Sequence, residues 1–209
     1  MPADLIHLVR HAEVYNPEGI LYGRLPGYHL SQLGFQMAEV AAQSLAGHPI
    51  TRLVASPLQR AQESAKPWAE QFGLEVHTDE RIIEPTNWFE GKRMREAVKR
   101  PSAWPRLANP MRPSWGEPYR QVLARMLAAI DDAYAAVDSG EVVLVSHQMP
   151  IVMVQRHVAR LGLMHNPGKR RCSLSSITTL ARRDGTLVEV GYAEPAKALL
   201  AGAIDTGAV

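Results

Sequence analysis

Three apolar runs of strand length end in residues that core packing does not ask for. Leu5-Ile6-His7-Leu8-Val9 runs into Arg10-His11, Leu53-Val54-Ala55 into Ser56-Pro57-Leu58-Gln59-Arg60, and Val142 to Val145 into Ser146-His147. Near-continuous apolar runs predict strands buried on both faces. In open parallel sheets ligands sit beyond the carboxyl ends of the strands, so the three endings predict one shared anion pocket. Arg10 and Arg60 carry planar forks matched to phosphate oxygens, and His147 can add a further donor. Phosphoryl transfer asks a protein mainly to position groups and to stabilise charge on the equatorial oxygens, which such a ring supplies. A neutral His11 could attack phosphorus and form a phosphohistidine that water then resolves. The arginines oppose protonation of His11 and bound phosphate favours it, so sequence alone does not set its pKa. A carboxyl group among Glu80, Glu84 and Glu90 could protonate the leaving alkoxide and later accept a proton from water.

The segments between these endings read as the scaffold. Val14 to Leu30 is rich in turn formers (Asn16-Pro17-Glu18-Gly19, Gly23-Arg24-Leu25-Pro26-Gly27), a loop able to fold over a site. Ser31 is a good N-cap for a helix that Gly47-His48-Pro49 stops. Ser56 as cap, Pro57 at the first helical position and Gln59 three residues on predict a capping box. That would put Arg60 in a first turn whose free N–H groups favour an anion. Pro67 is expected to bend or split the helix. Leu74 to Thr78 alternates as a short strand, and residues 85–115 form a Pro-rich, basic, cap-like excursion rather than a second domain. Tyr119 to Val137 carries a sustained helical apolar face, and a further helix is expected from Pro150 to Met164, with Leu161 inward. Leu174 to Ala181 and Thr186 to Tyr192 flank Asp184-Gly185, a hairpin signal. The Ala/Gly-rich stretch 193–209 reads as a tail partly ordered at best. The order of elements predicts an α/β fold: a three-layer α/β/α sandwich on a mostly parallel mixed sheet, as one domain over 1–209 with an excursion over the site.

Composition excludes several classes. Against 23 basic residues stand 21 acidic ones, a net charge of +2 that gives no electrostatic footprint for nucleic acid. One cysteine, Cys172, allows neither an internal disulfide nor a cysteine-based zinc site and reads as a small buried residue. The N-terminus lacks the charge and length of a secretory signal, and no apolar run spans a membrane, so a cytoplasmic protein is expected. His7 reads as packed at the sheet, and His29, His48, His77, His157 and His165 show no spacing that demands a metal. No metal or other cofactor is expected.

The same residues resemble a family. Arg10-His11-Ala12-Glu13 looks like the Arg-His-Gly-Glu signature of the histidine phosphatase superfamily, which includes the cofactor-dependent phosphoglycerate mutases. Ser56-Pro57-Leu58-Gln59-Arg60-Ala61 is similar to its Ser-Pro-Leu-x-Arg-Ala, and Ser146-His147 to its Ser-His-Gly. Gly23-Arg24, Leu33-Gly34 and Gly116-Glu117 match in kind and order. The resemblance covers about residues 5 to 190 and implies a phosphoric monoester hydrolase with His11 as nucleophile. It implies that Arg10, Arg60 and His147 hold phosphate and that Glu84, in Arg81-Ile82-Ile83-Glu84, is the acid. Arg24 and Gln148 are expected to contact substrate. Two departures stand out: Ala12 adds a Cβ where the family has glycine, and Gln148 replaces the glycine after the second histidine.

The implied reaction is metal-independent hydrolysis of a small phosphorylated metabolite. The partners expected are that substrate, no nucleic acid and no membrane, and a homo-oligomer is compatible with the apolar faces. Two alternatives stand beside it, a phosphoglycerate-type mutase and a phosphate-binding regulatory module without turnover. After His11 the chain lacks the Ser-x-Trp-Asn continuation of the mutase branch, which favours hydrolysis.

Overall fold

The computed structural model describes residues 2–107 and 115–205. Four parallel strands, β1 (Leu5–Arg10), β2 (Ile50–Ala55), β3 (Val76–Thr78) and β4 (Glu141–Ser146), form one sheet with the antiparallel β5 (Ile177–Arg183) and β6 (Thr186–Ala193). The strand order is β3-β2-β4-β1-β5-β6. Alternation explains why β4 is apolar throughout. Val142 and Leu144 point into one core cluster and Val143 and Val145 into the other, so neither face meets water. Helices α1 (Gln32–Gln43) and α2 (Gln59–Phe72) cover one face. Two further helices, the long Tyr119–Ala135 and Gln148–Val158, cover the other and complete three layers.

Between them lie two short helices, α3 (Met94–Ala97) and α4 (Trp104–Leu107), so the long helix is α5 and the last α6. The excursion is pinned by a small cluster in which Leu21, Phe89, Ala97 and Ala103 are buried. Its residues 108–114, with Arg112, lie outside the described residues. No helix among the described residues is long and apolar enough to cross a membrane.

Local signals account for several boundaries. Ser31 caps α1 by accepting from the Gly34 N–H. Asp184 and Gly185 take positive φ (51° and 76°) at the β5–β6 turn, the conformation that Asp-Gly favours in tight hairpins.

Three expectations are corrected. Helix α2 begins at Gln59 with Leu58 as its cap and no side-chain cap bond; the Ser56 hydroxyl lies 2.7 Å from His147 Nε2 and reaches only the Leu58 N–H, at 3.4 Å. Pro67 lies inside α2 without splitting it. Helix α6 ends at Val158 rather than Met164: Arg160 adopts φ 56° and the Leu161 N–H returns to the Arg156 carbonyl, closing the helix end and leaving Leu161 exposed. The tail is also more firmly held than its composition suggests. A 3₁₀ helix (Lys197–Gly202) packs Leu199, Leu200 and Ala203 against the cluster around Met37 and Leu174.

Candidate active site

Register brings the strand endings together. Arg10 pairs with Ser146 across β1 and β4, and Ala55 with Val145 across β2 and β4, so His11, His147 and Ser56 leave adjacent strands side by side. The rings of His11 and His147 lie 5.1 Å apart, and both are buried. The His11 Nδ1–H donates to the Ala12 carbonyl at 2.8 Å, which leaves Nε2 as the nitrogen with a free lone pair. Burial, then Arg60 and Arg10, hold the His11 pKa well below the ordinary histidine range, so the ring is neutral. His147 bonds through Nε2 to the Ser56 hydroxyl at 2.7 Å, and its Nδ1 faces Glu84 Oε2 at 3.8 Å. Its pKa is depressed by burial and by Arg60, His11 and more distant arginines.

Glu84 is fully buried, whereas Glu80 is exposed and Glu90 is spent on the Asn87 N–H, so the carboxylate brought to the histidines is Glu84. Its backbone is held from several sides. Ser146 Oγ donates to the Ile82 carbonyl at 2.7 Å, Arg125 to the Arg81 carbonyl at 2.5 Å and Arg24 to the Glu84 carbonyl at 2.6 Å. Burial raises the Glu84 pKa against the pull of Arg60 and Arg10. A neutral imidazole and a carboxyl whose burial favours its acid form therefore share one buried site, the pairing that acid-assisted nucleophilic displacement needs.

Arg60, in the first turn of α2, donates to the Gly23 carbonyl at 2.8 Å and stacks over the buried Tyr22 ring. Burial pushes the Tyr22 phenol up to about 12. Gly23 has φ 42°, and a Cβ there would stand 2.3 Å from the Glu90 carboxylate, so the turn that offers this carbonyl needs glycine. Arg24 is half-buried, with Glu117 as its second partner, and lines a cavity of about 260 Å³ with Tyr28, Leu58 and Arg60.

Polar atoms without partners concentrate here. Arg10 Nε, Arg60 Nε, His147 Nδ1 and Glu84 Oε1 are all buried and unpaired. Such atoms are costly unless water or a polar ligand satisfies them.

Some contacts are absent from the sequence reading. Arg170 lies between Gln148 Oε1 (2.9 Å) and His165 Nε2 (2.8 Å), and its charge reaches Glu84. Gln148 thus holds Arg170 and, through Nε2, the Cys172 carbonyl, so its amide is already engaged. Within Lys169-Arg170-Arg171 nothing distinguishes the inward residue. Ser64 Oγ accepts from the Ala12 N–H at 3.0 Å, fixing the backbone just after His11. The Ala12 methyl is buried with Leu30, Met37 and Leu174, so the Cβ lies in the core. Cys172 is buried, and burial pushes its thiol up to about 11, the state of an inert packing residue.

Comparison with known proteins gives the family and the fold. The family model of the histidine phosphatase superfamily (branch 1) matches residues 6–194. An uncharacterized protein, Rv0525, of Mycobacterium tuberculosis is 47% identical over 200 residues, covering 94% of this chain and 99% of that one. A 2,3-bisphosphoglycerate-dependent phosphoglycerate mutase of Thermoplasma acidophilum is 38% identical over 78 residues, 37% of this chain and 39% of its own. Among solved structures, the mycobacterial glucosyl-3-phosphoglycerate phosphatase Rv2419c in complex with VO3 superposes with a TM-score of 0.74 at 26% identity, covering 89% of this chain and 96% of that one. The chain belongs to the histidine phosphatase superfamily.

Proposed function

We propose that the protein is a metal-independent phosphomonoesterase acting on a small phosphorylated metabolite. His11 Nε2 attacks phosphorus in line with the leaving oxygen. The P–O bond breaks as Glu84 gives its proton to the departing alkoxide, and phosphorus is left on Nε2. The imidazole becomes cationic, and its Nδ1–H stays on the Ala12 carbonyl. Water then attacks the phosphohistidine while the Glu84 carboxylate takes its proton. The P–N bond breaks, phosphate leaves and His11 returns neutral. Arg10, Arg60 and His147 hold the equatorial oxygens, with Arg24 at the substrate side.

The observation that carries this reading is the set of buried, unpaired nitrogens, Arg10 Nε, Arg60 Nε and His147 Nδ1, beside a histidine whose Nε2 is the lone-pair nitrogen. A tetrahedral dianion supplies oxygen acceptors on several sides, the complement of such a set. With it bound, its charge offsets the arginines and draws the histidine pKa values back up.

Phosphate release from an aryl phosphate in the presence of a chelator tests the reading, with His11→Ala as the comparison. Activity that survives the chelator and disappears with His11 supports it. Activity retained by His11→Ala overturns the nucleophile. The partial likeness to a phosphoglycerate mutase favours one second reading, transfer between positions of one sugar acid. That reading is carried if phosphate release is negligible while exchange with a phosphorylated cofactor proceeds.

A further inference from the structure

At the opposite end of the sheet from His11, three metal-ligating side chains converge. Glu141 opens β4 and His7 lies in β1. Glu141 pairs with Leu5, two residues before His7, so strand alternation puts both side chains on the same face. His48, in the turn between α1 and β2, completes the group. His7 Nε2 is 2.7 Å and His48 Nδ1 2.8 Å from the same oxygen, Glu141 Oε2, and the three ligand atoms lie within 4.8 Å of one another. His7 is fully buried, Glu141 nearly so, and His48 is 40% exposed on its side chain, which leaves one open approach. Across the strand pair β1–β5, Thr179 Oγ1 lies 3.0 Å from His7 Nδ1. This is the arrangement of a metal-bound histidine, whose second nitrogen donates to an oxygen that fixes ring and tautomer.

We infer that His7, His48 and Glu141 form a binding site for a borderline divalent transition metal, with zinc as the ion of choice, separate from the proposed phosphatase centre. Two imidazoles and a carboxylate are a donor set that suits zinc, and water entering past His48 completes a tetrahedron. Zinc–ligand bonds near 2.0–2.2 Å set ligand atoms about 3.3 Å apart, so the present contacts open by about 0.5 Å on binding. His48, half-exposed in a turn, can take up much of that movement. The ion ties β1, β4 and the entry to β2 together at the amino ends of the strands, so its contribution is structural. Some 40 residues separate His7 from His48 and more than 90 separate His48 from Glu141. No local metal-binding spacing exists to be seen in the sequence.

The test uses purified full-length protein stripped with chelator and titrated with Co²⁺, followed by competition with Zn²⁺. The expected result is intense tetrahedral d–d absorption that saturates at one equivalent and is displaced by Zn²⁺. His48→Ala, at a half-exposed turn where folding is safe, loses the absorption and keeps its phosphatase activity. Thr179→Val weakens binding by about 10- to 100-fold, as the loss of an orienting partner does. His11→Ala retains the absorption in full. A wild type without saturable absorption overturns the inference, leaving the triad as a hydrogen-bonded cluster. So does an absorption that persists in His48→Ala or vanishes in His11→Ala, which would move the metal to the other histidine pair.

Discussion

Asp205 grips Arg10 through both carboxylate oxygens, Oδ1 on Nη2 at 2.5 Å and Oδ2 on Nη1 at 2.8 Å. The Ile204 N–H donates to Glu13 Oε1 at 2.6 Å and anchors the same segment. A carboxylate therefore holds the guanidinium edge that a phosphate would use, and only the buried Nε of Arg10 is left without a partner. An incoming anion has to displace Asp205 or share Arg10 with it. The Asp205 side chain is 41% exposed while Arg10 is buried, so water reaches the pair from the Asp205 side and moderates the competition. Asp205→Asn is expected to lower KM for an aryl phosphate, and Ki for inorganic phosphate, by about two- to fivefold, an ion-pair contribution of up to about 1 kcal/mol, with kcat little changed. Steady-state kinetics with product inhibition checks this. A KM that rises in the variant would mean that the segment helps to hold substrate instead.

Glu84 predicts a dependence on the leaving group. An aryl oxide leaves without help, whereas an alkoxide needs a proton in the transition state. Glu84→Gln should therefore cost about 10²–10⁴ in the rate of phosphohistidine formation from alkyl phosphates and far less from aryl phosphates, a difference that single-turnover kinetics reads before the shared hydrolysis step. The sign of the pH effect follows from burial, which raises the Glu84 pKa and keeps the acid form to higher pH than an ordinary carboxyl. In the wild type the rate on alkyl phosphates falls as pH rises through that raised value, and in Glu84→Gln this limb disappears. Equal losses in that step on both substrate classes would show that Glu84 does not protonate the leaving group and confine it to the shared hydrolysis of the phosphohistidine.

Histidine burial predicts acid sensitivity of the fold. His11 and His147 have pKa values depressed in the folded state, so below the unfolded value of about 6.5 the unfolded chain binds more protons. Their destabilising effect is absent above about 6.5 and grows as pH falls toward the folded values. Glu84, with a raised pKa, acts in the opposite sense, its stabilisation being lost as pH rises through the folded value. In His11→Gln one of the two histidine contributions is gone, and its Tm should fall less than that of the wild type on acidification from neutral pH. Parallel thermal melts across pH check this, and identical acid slopes would place the sensitivity elsewhere.

The strand endings were legible because β1, β4 and the last three residues of β2 are buried on both faces, so a charged residue after an apolar run had to mark a strand end. The Ser31 cap and the Asp184-Gly185 turn were legible because each is a local hydrogen-bond or φ requirement. What sequence did not show is partner choice across the fold. Ser56 has the spacing of a helix cap, yet its hydroxyl goes to His147, a residue 91 positions away. Arg170 looks like any member of a solvated basic run until Gln148 and His165 fix it. Asp205 follows an Ala/Gly-rich stretch of low local preference, and only the packing of Leu199, Leu200 and Ala203 on Met37 and Leu174 carries it to Arg10.

Ala12 offers the sharpest test of how one departure from the family signature is accommodated. Its methyl is buried in the cluster of Leu30, Met37, Ala38 and Leu174, while its N–H is held by Ser64 Oγ. Restoring glycine removes a buried methyl, worth about 0.8 kcal/mol, and adds backbone freedom in the unfolded chain worth about 0.4–1 kcal/mol. Ala12→Gly should thus lose about 1–2 kcal/mol of stability in denaturant melts. Because the methyl faces the core, the phosphate side gains no room, and kcat should stay within about twofold of the wild type or fall as His11 loses a firm support. A clear rise in kcat on an aryl phosphate would show instead that the methyl crowds the bound anion.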